Sequence, residues 1–295
     1  MIPHIIHYCW FGNKKIPKDF RKYIEGWKKL CPDYEIKEWN EKNFPFQKSL
    51  YCRQAYKAMK WAFVTDYARF RILYEYGGIY LDTDVELIKP LDSLLEECEK
   101  AGIQGFMGIE RPETGDVAPG LICAAEPKNP LIKELLMGYK GRRFIDESGQ
   151  QDLTTVVEYT NTILARQIST MYKQTPGLVD NHIDKSNDRH IDNSGDKHNA
   201  GIKLPDKENG IIDIKDSKFR IYPADYFNPM DMNTGEIKIT ENTYSIHHYA
   251  SSWVEPYSRL RGKVYKKIRR VCGGNAAETI RSVIGKKKVT PGNTK

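Results

Sequence analysis

The chain has 295 residues and a mass of 34.1 kDa, enough for one large domain or two small ones. With 40% hydrophobic and 29% charged residues, it is neither collagen-like, fibrous nor wholly disordered. The net charge of +7 is unevenly placed: residues 259–295 carry twelve Lys or Arg against the single acid Glu278, a net of +11, which leaves −4 on the rest.

His4 to Phe11 reads as a short apolar strand. Pro17 opens a helix in which Phe20, Ile24, Trp27 and Leu30 recur at helical spacing, and Pro32-Asp33 breaks it. Tyr34 to Trp39 alternates as a strand. One long helical pattern runs from about Ala55 to Tyr76 and stops at Gly77-Gly78. Ile79 to Val85 resumes as a strand. Further strands are expected at 103–109 and 120–125, a helix capped by Asn129-Pro130, and another helix over 151–168. Late strands are expected at 219–222 and around Tyr244 to Tyr249. Strands alternating with helices predict an α/β domain with a mostly parallel central sheet flanked by helices.

Between these elements, His182 to Arg189 and His190 to Lys197 are two similar octets, and His198 begins a third. A spacing of eight among Asn, Asp, Ser and Gly fixes no metal geometry, so about 181–201 reads as a duplicated, flexible polar insertion. Six cysteines without any CxxC pair predict reduced thiols. No stretch reaches the roughly 18–20 apolar residues of a membrane span. The N-terminal residues lack a signal peptide's basic region and cleavage site.

Asp82-Thr83-Asp84 carries the chemistry. Strand alternation would send Asp82 and Asp84 to the same side with Tyr80 behind them. Two adjacent carboxylates repel unless a cation lies between them, and ligands of open α/β sheets gather at the carboxyl ends of strands. The triplet therefore reads as a divalent-metal site for a phosphorylated ligand. On the preceding helix, Asp66 and Arg69 share a face and suit the hydroxyls and phosphate of a substrate.

The run Trp61 to Asp84 closely resembles the D-x-D sugar-binding region of glycosyltransferase family 32, which includes capsular-polysaccharide enzymes, and is distantly similar to the large glucosylating bacterial toxins. Ile2 to Gly12, Trp27, Cys31 to Glu35 and Trp39-Asn40 resemble the family's opening. Ile221-Tyr222-Pro223 and Ile246 to Trp253 resemble its closing motifs. The resemblance implies a GT-A type nucleotide-sugar-binding fold over residues 1–258, with 259–295 as a basic amphipathic tail. It implies metal-dependent, retaining transfer of a hexose or N-acetylhexosamine from a nucleotide sugar, a UDP-sugar in preference to GDP-mannose, to a polysaccharide or lipid-linked acceptor.

On that resemblance Trp10 would stack on the nucleobase, Asp66 and Arg69 would hold the donor sugar, Tyr80 would line the nucleotide pocket and Trp253 would close over it. Asp84 would bind Mn²⁺ or Mg²⁺ directly, Asp82 directly or through water. The late ligand would be His247, matching the family's steadier first histidine, with His248 as the alternative, because alternation lets only one of the two face the metal. A cytoplasmic enzyme with its tail on the anionic inner face of the membrane is the expected setting. Two other readings compete: a nucleic-acid-binding module resting on the basic tail, disfavoured because the acidic body argues against an extended binding surface, and an inactive carbohydrate-binding relative, disfavoured by the intact Asp82/Asp84 pair.

Overall fold

The computed structural model describes residues 1–174, 210–231 and 234–250. The expectations for the 181–201 insertion, for Trp253 and for the basic tail lie outside them. The elements in chain order are β1 (Ile5–Cys9), α1 (Lys18–Leu30), β2 (Glu35–Trp39), α2 (Leu50–Lys57), α3 (Trp61–Tyr76), β3 (Gly78–Tyr80), β4 (Val85–Leu87) and α4 (Asp92–Lys100). They continue with β5 (Gly105–Arg111), β6 (Asp116–Val117), β7 (Cys123–Ala125), α5 (Pro130–Met137), α6 (Val156–Gln174), β8 (Ile212–Ile214), β9 (Phe219–Tyr222), α7 (Ala224–Phe227) and β10 (Ser245–His247).

The main sheet has the order β2-β1-β3-β7-β5-β9-β8, with β6 paired to β5, and β10 pairs antiparallel with β4 in a separate ribbon. Five of the seven strands along that order run the same way, whereas β7 and β8 are reversed. The reversals have a chain-length cause. No helix joins β5 to β7, and only Lys215–Lys218 separates β8 from β9; without a crossover a strand returns antiparallel.

Alternation along the strands builds a core on each face. Tyr80, Met107, Cys123 and Ile221 pack with α2, α3, α5 and α6. Their neighbours Ile79, Phe106, Ala124 and Tyr222 pack with α1, α4 and α7 on the other face. The architecture is therefore α/β, a mostly codirectional sheet between two helical layers.

Two expected elements differ. The helix drawn from Ala55 to Tyr76 is two helices, α2 and α3, and the strand drawn from Ile79 to Val85 breaks after Tyr80. Asp82-Thr83-Asp84 occupies a turn closed by Val85 N–H donating to the Asp82 carbonyl at 3.1 Å. The five described cysteines are buried and form no disulfide.

Candidate functional site

The helix α3 lies between the sheet and the helices α2 and α5, and two of its charged residues, Asp66 and Arg69, are buried there. Asp66 and Arg69 are 6% and 3% exposed. Arg69 Nη2 lies 3.0 Å from Asp66 Oδ1 and 3.5 Å from Asp82 Oδ1, and its guanidinium covers the Tyr80 ring at 4.9 Å. Its Nη1 is buried without a hydrogen-bond partner. Gly77 ends α3 with φ +66° and feeds the chain straight into β3, which is why Tyr80 and Asp82 return beside Arg69.

Asp82 is held on several sides. The Tyr80 hydroxyl donates to its Oδ1 at 2.8 Å, and its own N–H donates to the Gly120 carbonyl at 3.1 Å. A Cβ at position 120 would stand 2.3 Å from Asp82 Oδ2 and 3.2 Å from Arg69 Nη1. Only glycine leaves that carboxylate room. Asp84 is gripped by the chain around β10, whose register sets His247 opposite Val85. His247 Nε2 lies 3.1 Å from Asp84 Oδ1, Ala250 N–H donates to Oδ2 at 2.8 Å, and His248 N–H donates to the Asp84 carbonyl at 3.0 Å.

These contacts set the charges. Burial raises the Asp66 carboxyl to about 7 against the pull of Arg69. Burial also works against the Arg69 charge, but Asp82, Tyr80 and Asp66 outweigh it and the guanidinium stays protonated. Burial opposes ionisation of Asp84, yet His247 and the Ala250 N–H hold its pKa below the ordinary value. His247 is raised in turn, burial being overcome by Asp84.

Among the described residues, Asp82, Asp84 and His247 offer ligand atoms all within 4.8 Å of one another. Two carboxylate oxygens and one imidazole nitrogen suit a divalent cation of the Mn²⁺ or Mg²⁺ type, and the donor set fits one. The remaining expected residues are placed differently. Trp10 stands at the carboxyl end of β1, its indole N–H on the Lys14 carbonyl and its ring edge-on to Phe20, outside the hydrogen-bonded cluster. Tyr80 is fully buried with its hydroxyl committed to Asp82, a support rather than an open wall. His248 turns away to Glu86 Oε2 at 2.8 Å and stacks on Tyr23. Gly120 and the Ala250 amide were not expected from the sequence. Gly120 falls at the start of the strand expected over 120–125, but what it faces is a tertiary fact.

Comparisons with known proteins bear on this arrangement. Residues 17–100 match the family described as a glycosyltransferase sugar-binding region containing a DXD motif. An uncharacterized glycosyltransferase of Acanthamoeba polyphaga mimivirus is 36% identical over 105 residues, covering 32% of this chain and 40% of the relative. The initiation-specific alpha-1,6-mannosyltransferase of Saccharomyces cerevisiae is 30% identical over 122 residues, covering 38% and 25%. Inositol phosphoceramide mannosyltransferase 3 of Schizosaccharomyces pombe is 35% identical over 102 residues, covering 32% and 27%. The chain thus spans at most 40% of the length of these relatives. Among solved structures, the PaToxG glycosyltransferase aligns with a TM-score of 0.45 at 17% identity, covering 59% of this chain and 72% of that one.

Proposed function

We propose that this chain, whose residues 17–100 belong to the DXD-containing glycosyltransferase sugar-binding family, is a metal-dependent, retaining glycosyltransferase with a GT-A type domain over residues 1–258. The observation that carries the reading is the convergence of Asp82, Asp84 and His247 beside the buried Asp66–Arg69 pair. The donor is a nucleotide sugar and the acceptor a saccharide or a lipid-linked saccharide. The relatives named mannosyltransferases put mannose among the sugars to be tested.

Asp82, Asp84 and His247 would hold the cation, which supplies Lewis-acid neutralisation of the charge that grows on the departing diphosphate. Arg69 keeps its positive charge in a dry environment, and its unpartnered Nη1 is a donor ready for a ligand oxygen. Asp66, anchored by Arg69, accepts from sugar hydroxyls. Trp10 would stack on the nucleobase, and Trp253, outside the described residues, would close over the donor. No side chain is assigned as a nucleophile for a covalent intermediate, so departure and attack share one face of the sugar.

Donor hydrolysis without acceptor tests the reading. A panel of UDP- and GDP-sugars incubated with Mn²⁺ is expected to yield free sugar from one donor. Asp84→Asn is expected to abolish that release while circular dichroism stays unchanged. Release undiminished by EDTA would overturn the metal dependence, and no release from any donor would overturn the enzyme reading.

A further inference from the structure

Helix α1 reaches the segment that grips Asp84 through a residue that the proposed chemistry leaves unused. The β4–β10 ribbon pairs His247 with Val85 and Ile246 with Glu86, and His248 N–H carries the ladder one step on, to the Asp84 carbonyl at 3.0 Å. Neighbouring side chains on a strand go to opposite sides. With His247 turned to Asp84 Oδ1, the His248 ring falls on the Glu86 side, diagonal to it across the ribbon.

There the ring is held by an edge and by a face. Its Nε2–H donates to Glu86 Oε2 at 2.8 Å, and the Tyr23 ring lies parallel to it, with centroids 4.8 Å apart and an interplanar angle of 3°. Tyr23 is itself a fixed post. One turn further along α1, the fully buried Trp27 donates its indole N–H to the Val85 carbonyl at 2.9 Å, which ties the helix to the strand following the Asp82–Asp84 turn.

The residues on both sides of His248 need such a hold. A metal-binding histidine is ordinarily oriented by a hydrogen bond at its other ring nitrogen. Among the described residues nothing hydrogen-bonds the buried His247 Nδ1, so the aim of that ring rests on packing and on the backbone that carries it. On the other side, Tyr249 has φ +46°, in the left-handed region that bulky side chains avoid, and this turn brings the Ala250 N–H onto Asp84 Oδ2.

We infer that Tyr23 and Glu86 are positioning residues for the metal centre: by clamping the His248 ring they fix the backbone on either side of it, and so keep the His247 imidazole and the Ala250 amide on Asp84. The inference rests on the reading of Asp82, Asp84 and His247 as metal ligands. It makes His248 a brace and not a ligand, with Nε2 committed to Glu86 and one face covered by Tyr23.

Equilibrium Mn²⁺ binding by the full chain, followed through the electron paramagnetic resonance of free Mn²⁺, tests it beside urea midpoints of the same variants. Tyr23→Ala is expected to weaken binding about tenfold, the scale seen when support of a metal ligand is lost. Glu86→Ala should weaken it less, about fivefold, because a partly exposed pair is screened by solvent. Tyr23→Phe keeps the stacked ring and Glu86→Gln keeps an acceptor for Nε2–H, and both are expected within about twofold of wild type. Tyr23→Ala binding within about twofold of wild type, even with a lowered urea midpoint, would show a merely structural contact; it would overturn the inference and leave the metal reading standing. If Tyr23→Ala fails to fold by circular dichroism, Glu86→Ala decides alone by the same threshold. Binding that survives His247→Ala and is lost in His248→Ala would also overturn the inference. A wild-type chain that binds no Mn²⁺ would overturn both it and the metal reading.

Discussion

A proton on the His7 imidazole would break one of its two hydrogen bonds. The ring is fully buried, with Nε2–H donating to the Gly77 carbonyl at 2.9 Å and Nδ1 accepting from Trp39 Nε1 at 3.1 Å. Burial pushes its pKa down to about 4, with Lys37 adding to the shift and the Gly77 hydrogen bond opposing it. The folded value lies below the unfolded one. The stability it contributes is therefore complete above pH 6.5 and is lost as pH falls through about 4, on the order of 3 kcal/mol in all. Urea midpoints measured between pH 7 and pH 4 should fall steeply for the wild type, and His7→Gln should flatten that slope; parallel slopes would contradict the assignment. At the same scale, Asp82 and Asp84 were legible as a pair because the triplet is short and bracketed by Ile79, Leu81 and Val85. Its geometry was not. A strand and a tight turn both bring residues two apart to one side, so the pattern could not distinguish them. Gly120 reads from the sequence only as the start of the strand expected over 120–125, since the carboxylate it accommodates comes from 38 positions earlier in the chain.

The break between α2 and α3 shows what an element's pattern conceals. Apolar residues continue at helical spacing through Ala58 and Trp61, and no Gly or Pro interrupts them. The stop is made by backbone alone: Met59 has φ +55°, Met59 N–H donates to the Tyr56 carbonyl, and Lys60 N–H donates to the Ala55 carbonyl. These are the paired hydrogen bonds of a left-handed helix end, at a position where glycine is the usual residue. Met59 is 71% exposed and so buries little. Met59→Gly should therefore relieve strain at small cost in contacts and raise stability by about 0.5 kcal/mol, after the greater chain entropy of glycine is counted. Urea unfolding measures it, and a lower midpoint for the variant would show that the strain is not there. Where the sequence did carry the signal, the element follows it. Asn129 caps α5 by accepting from the Leu131 and Ile132 N–H groups, as a polar residue before Pro at a helix start predicts.

At the scale of the whole molecule, alternation of strand and helix is enough to give the layered α/β architecture, because periods of 2 and 3.6 are written into the apolar residues. Strand direction is not written there, and β7 and β8 differ for that reason. Charge, by contrast, is legible end to end, and its division between a body of −4 and a segment of +11 over residues 259–295 requires a use. Among the described residues no helix is long and apolar enough to cross a membrane. A basic segment in which Leu260, Val264, Ile268 and Val271 are interleaved with cations has the composition of one that lies on an anionic lipid surface, at about 1 kcal/mol per basic residue close to it. We propose that residues 259–295 hold the chain at such a surface, where a lipid-linked acceptor would be concentrated. Vesicles containing phosphatidylglycerol should carry the full chain upward in a flotation gradient at low salt and release it at high salt, because screening shortens the reach of the attraction. A chain ending at Ser258 should stay at the bottom under both conditions, its remaining charge being of the same sign as the lipid. Flotation of both chains alike would place the attachment elsewhere, and flotation of neither would remove the membrane from the account.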